Sequence, residues 1–106
     1  MTHRASPLAF LALAAALSAV LAACASPSPQ LMSGVKHQAE VSGSQFTIWQ
    51  KGDRVEIYRT SREWMPHLSE VMAKATVAVV RVTGCEVRKG SMAGDAALMK
   101  ARLACG

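Results

Sequence analysis

Three thiols, on Cys24, Cys85 and Cys105, are the side chains of this sequence best suited to covalent chemistry. A thiol can be acylated, can pair as a disulfide, or can ligate a metal in company with other donors. Two cysteines alone cannot build a structural zinc site. His37 and His67 lie far from Cys85 and Cys105 and lack zinc-finger spacing. Oxygen nucleophiles offer less. Ser61, Glu63 and His67 contain the residue types of a hydrolase triad, but no nucleophile elbow surrounds them, and His67 beside Pro66 reads as a surface histidine at a helix start. Asp53 and Asp95 each follow a glycine and read as turn residues rather than a carboxylate pair. The glycines never form a phosphate loop, and the methionines of the C-terminal part suit core filling. No catalytic residue, metal or cofactor is expected, and the chain is not read as an enzyme.

The position of Cys24 explains its chemistry. Residues 8–23 are apolar apart from Ser18, a run of sixteen preceded by Arg4. That is short of the roughly 18–20 residues that cross a bilayer. A positive start, a short apolar centre and small residues at its end predict a secretory signal peptide over residues 1–23. The ending Leu21-Ala22-Ala23-Cys24 resembles the lipobox of bacterial lipoproteins. The resemblance implies cleavage before Cys24, a diacylglyceryl thioether on its sulfur and a further fatty acyl chain, such as palmitate, on the new amino terminus. Two or more chains hold a protein on a membrane where one does not. Ala25 stands where an aspartate would signal retention in the inner membrane, so the resemblance implies the outer membrane, with the protein facing the periplasm.

With Cys24 assigned to lipid, Cys85 and Cys105 remain as an even pair in an oxidising compartment, and a disulfide is expected. Residues 24–40 contain Pro27, Pro29 and several serines without an apolar period, and are expected to form a lipidated flexible tether. Residues 41–106 are left for a domain. Some sixty residues make a marginal core, which a bridge closing a loop of about twenty residues would support by roughly 3 kcal/mol.

The element pattern of 41–106 predicts an α+β fold, ββαββ, with four antiparallel strands and one helix. In "QFTIWQKGDRVEIYRT" the apolar residues alternate, and a turn at Lys51 and Gly52 would set Phe46 across from Ile57 and Ile48 across from Val55. On the other side Trp49 would face Arg54, Thr47 would face Glu56, and Gln45 would face Tyr58. Leu68, Val71, Met72, Ala75, Val79 and Val82 follow at three- and four-residue steps, the mark of a helix with one buried stripe. Pro66 fits its first turn and Gly84 its end. In the last segment, a hairpin centred near Asp95 would set Cys85 across from Cys105 and Val87 across from Leu103. A helix over 96–104 capped by Asp95 is the competing pattern, favoured by propensity. Alternation with matched partners favours the hairpin.

Charge gives the remaining indication of function. Loss of residues 1–23 removes Arg4 and leaves eleven Lys and Arg against seven Asp and Glu, a net of +4. Arg54, Arg88, Lys100 and Arg102 are expected on the side of the sheet away from the core, with Trp49 and Tyr58 among them. Such a face suits anionic envelope components: lipid headgroups, lipopolysaccharide phosphates or peptidoglycan carboxylates. Nucleic acid is not an expected partner. The stretch "SGSQFTIWQKGDRVEIY" also resembles the membrane-bound inhibitors of C-type lysozyme, small lipoproteins with a Ser-Gly motif and a Trp-x-Lys-Gly-Asp turn. That likeness implies an all-β barrel in which Ser42 and Lys51 enter the lysozyme cleft. Over its whole length the domain resembles small alphaproteobacterial lipoproteins of unassigned role, whose ends share a "GC...GD..LM.A.L.C" pattern. The leading expectation is a membrane-anchored, non-enzymatic binding or adaptor module, and the alternative is a glycosidase inhibitor.

Overall fold

Alternating apolar residues build most of this fold, and they begin earlier in the chain than residue 41. The computed structural model describes residues 27–106. The expected signal peptide, its cleavage site and Cys24 lie outside the described residues. A 3-10 turn, Pro29–Leu31, leads into β1 (Val35–Val41), β2 (Ser44–Lys51) and β3 (Arg54–Arg59); then come helix α1 (Leu68–Thr83), β4 (Glu86–Val87), β5 (Ala93–Gly94) and β6 (Leu98–Ala104). The strands are antiparallel throughout, in the order β1-β2-β3-β6-β4, and β5 also pairs with β6. The architecture is α+β, one helix against one antiparallel sheet, closed by the Cys85–Cys105 disulfide.

The inner face of the sheet carries the core. Phe46, Ile48, Val55, Ile57, Met99, Ala101 and Leu103 alternate along β2, β3 and β6 and are buried against Val71, Ala75, Ala78 and Val79 of α1. Each large aliphatic or aromatic side chain so buried contributes about 1.5–3 kcal/mol. The helix stripe matches its expected spacing, except that Leu68 is exposed and Ala78 joins the core. Pro66 lies outside the helix, before its N-cap His67, and Gly84 closes it in the left-handed conformation. Among the described residues no helix is long and apolar enough to cross a membrane.

Three expectations are corrected. The sheet has more than four strands, and the stretch expected to be tether through residue 40 contains β1, paired residue by residue with β2. Val35, His37, Ala39 and Val41 share one side of β1, and Val41 is buried while Ala39 packs on the core. That period of two was weak because its members include the polar His37 and the small Ala39. The β2–β3 turn is at Gly52 and Asp53, one residue further on than expected, so Ile48 faces Ile57 and Trp49 faces Glu56. Gly52, at φ 59°, takes the first central position of the two-residue loop, where glycine suits the twist of a hairpin. Moving the turn by one residue moves the pairing by two, which leaves every side chain on its expected face.

The third correction concerns the last hairpin. Val87 does face Leu103, and Cys85 is bonded to Cys105, but the first arm is two short strands rather than one. Between them the ladder is interrupted, and the hydroxyl of Ser91 bonds both the N–H and the carbonyl of Arg102 in its place. Asp95 caps a turn instead of a helix: its carboxylate accepts the N–H groups of Ala97 and Leu98 as the chain reverses into β6.

Candidate functional site

The outer face of the sheet gathers polar and charged side chains from four strands. Its members are the residues that alternate with the core. Lys36, Trp49, Glu56 and Lys100 are successive cross-strand neighbours on β1, β2, β3 and β6. The Lys36 ammonium stands over the Trp49 ring at 5.7 Å from its centre. In the next row Lys51 faces Arg54 and Arg54 faces Arg102, three exposed cations side by side. The nearest acid is Asp53, 3.9 Å from Arg102.

Glu56 is the exception to this exposure. It is 3% exposed although it points away from the core, because the N-terminal turn folds over it. The backbone N–H of Ser28 reaches one carboxylate oxygen at 3.2 Å and its hydroxyl bonds the other. Tyr58 donates its hydroxyl to the same carboxylate at 2.9 Å. Burial pushes the Glu56 carboxyl up, but the two bonds from Ser28, the Tyr58 hydroxyl and the nearby Lys100 charge together hold it below the ordinary carboxylate value. Burial and the bond to Glu56 push the Tyr58 phenol up to about 12. Glu56 is therefore an anion that ties the start of the fold to the sheet. A groove of about 340 Å³ opens beside it, lined by Ser28, Arg54, Ser91, Lys100 and Arg102 among others.

A second polar cluster lies where β2 and β3 meet the loop before α1. Ser44, fully buried, donates to Glu63 at 2.5 Å, and Ser61 donates to the same oxygen at 3.2 Å. Arg59 pairs with the other oxygen at 3.1 Å and also bonds the carbonyls of Ser61 and Ala96. The Ser44 hydroxyl, the Ser61 hydroxyl and Arg59 lower the Glu63 carboxyl, with Ser44 the largest contributor. Lys74 lies 3.1 Å from the Ser44 hydroxyl, within reach for a nucleophile and its base. Ser44 has no exposed surface and gives its proton to Glu63, so the cluster works as a clasp for the loop.

The residues of interest from the sequence fall as follows. Ser61 and Glu63 meet, but His67 is exposed at the helix N-cap and its ring bonds neither. Ser42 occupies the β1–β2 turn and Lys51 the far end of β2, about 25 Å apart at the rise of an extended strand. Arg54, Lys100 and Arg102 share the outer face with Trp49 and Tyr58 as expected, and Arg88 bonds the carbonyl of Leu103. Sequence reasoning passed over Glu56 and Ser28. The one available signal was an acid in mid-strand between Val55 and Ile57, with Tyr58 two residues on. Among the described residues no group of three or more His, Cys, Asp or Glu side chains could hold a metal ion. Compared with known protein families, curated proteins and solved structures, the chain matches none.

Proposed function

We propose that this chain is an envelope lipoprotein: cleaved after Ala23, acylated on Cys24, held in the outer membrane facing the periplasm, and acting as a small non-enzymatic binding or adaptor module. The observation that carries the reading is the Cys85–Cys105 disulfide. It uses two of the three thiols and leaves Cys24 alone beside the apolar run, in the Leu-Ala-Ala-Cys setting of a lipobox. Persistent disulfides belong to oxidising compartments, which export would reach. The non-enzymatic part of the reading is supported by the two polar clusters, whose best-placed groups, Ser44 and Glu56, are buried and engaged in holding the fold. The cationic row of the outer face supports binding of an anionic partner.

Intact mass of the membrane-extracted protein tests the reading. The expected result is residues 24–106 plus acyl groups, with two thiols that alkylate only after reduction. A full-length chain without acyl groups would overturn the anchor and the compartment together.

A further inference from the structure

The chain enters the fold over the outer face of the sheet. Ser28 is fixed there by Glu56, whose cross-strand partner is Lys100 and whose strand neighbour two residues away is Arg54. Cys24 precedes Ser28 by four residues, a leash of at most about 14 Å. A flexible tether over residues 24–40 would have let the domain wander by about 20 Å or more. Anionic headgroups act over a Debye length, roughly 8 Å at physiological salt. The shorter leash keeps the outer face near that range, and the longer one would have left it largely screened.

The face itself is built for anions. Arg54 and Arg102 stand directly opposite each other with Lys51 beside them, and like charges so placed repel. Asp53 offsets this only from 3.9 Å. Glu56 is occupied by Ser28 and Tyr58, while Glu40 and Glu86 lie on the outer strands β1 and β4, away from the row. A phosphate oxygen is the acceptor that a pair of guanidinium groups prefers. The inner face is covered by α1 and cannot take this role.

We propose that the outer face around Arg54, Lys100 and Arg102 lies against the net-anionic phosphate headgroups of the same membrane that holds Cys24. This rests on the acylation of Cys24 proposed above. The domain is then a membrane-apposed plate that presents α1 and the Trp64–Met65 loop away from the lipid.

The test uses the mature protein reconstituted in nanodiscs of phosphatidylcholine, with or without phosphatidylglycerol, each carrying a photoactivatable headgroup probe. In the phosphatidylglycerol discs, cross-links are expected in the peptides around residues 51–54 and 98–102. They should fall several-fold in phosphatidylcholine alone and in an Arg54→Gln, Arg102→Gln variant, which keeps its anchor and disulfide. A flexible insert of about ten residues between Ser26 and Pro27 should lower them likewise by lengthening the leash. Cross-links confined to Trp64, Met65 or α1, or equal yields in all discs and variants, would overturn the inference while an acylated mass left the anchor standing. A mass without acyl groups would overturn both.

Discussion

Glu56 shows how one carboxylate can organise a small fold without doing chemistry. Its charge is stabilised in the folded state, so that stabilisation is present above the unfolded carboxylate range, near 4.3, and is lost as pH falls through the lower folded value. Glu56→Gln removes a charged acceptor from two Ser28 bonds and one Tyr58 bond. It should cost about 1.5–3 kcal/mol at neutral pH, with the gap to the parent narrowing below about pH 4. Urea unfolding at the two pH values measures both effects. Tyr58 has the opposite sign: its contribution is whole below the unfolded phenol value, near 10, and is lost as pH rises through about 12. In the Glu56→Gln variant an absorbance titration should place Tyr58 lower than in the parent, yet still above an exposed tyrosine, since burial is the larger cause.

At the scale of elements, glycine geometry gives the sharpest expectation. Gly94 closes β5 at φ 129°, and a Cβ there would sit 2.2 Å from the Leu98 carbonyl oxygen. Gly94→Ala should therefore break the reversal into β6 and destabilise by more than Gly84→Ala. At Gly84 the φ is left-handed but no atom lies nearby, so the cost should be about 1–2 kcal/mol. Thermal unfolding of the two variants compares them, and equal losses would refute the steric account.

Much of this level was legible in the sequence. The faces of β2, β3 and β6, the helix stripe and the pairing of Val87 with Leu103 follow from periods of two and 3.6, which burial enforces. In β6, alternation of Met99, Ala101 and Leu103 prevailed over the helix propensity of its alanines, because a sheet position buries all three. What escaped had weaker physical signals. β1 is an edge strand whose inward side includes only Ala39 and Val41 as core contributors, so little apolar content marked it. The turn position depended on which side of Gly52 the loop closed. Ser28 could not be connected to Glu56 by any periodic rule, since a contact between residues 28 positions apart depends on the path of the whole chain.

For the molecule as a whole, the disulfide and the N-terminal turn act on the same weakness, a core with few residues to spare. Replacing Cys85 and Cys105 together by alanine frees a loop with a sequence separation of 20 and should lower stability by roughly 3 kcal/mol. With a urea dependence of about 1–1.5 kcal/mol per molar for a domain of this size, the midpoint should drop by about 2–3 M. A drop well under 1 M would mean that the sheet closes without help from the bridge.

The place of β6 in the sheet sets an order of events for a chain that is threaded or synthesised from its amino terminus. β6 is the last strand to appear, yet it lies in the interior of the sheet, with β3 on one side and β4 and β5 on the other. It also contributes Met99 and Leu103, both without exposed surface. Until Leu98–Ala104 emerges, β3 has an open edge, the helix has half a floor, and Cys85 has no partner. The sheet and core therefore cannot be completed before β6 is available, and sheet, core and covalent clasp can then all close within the same few residues.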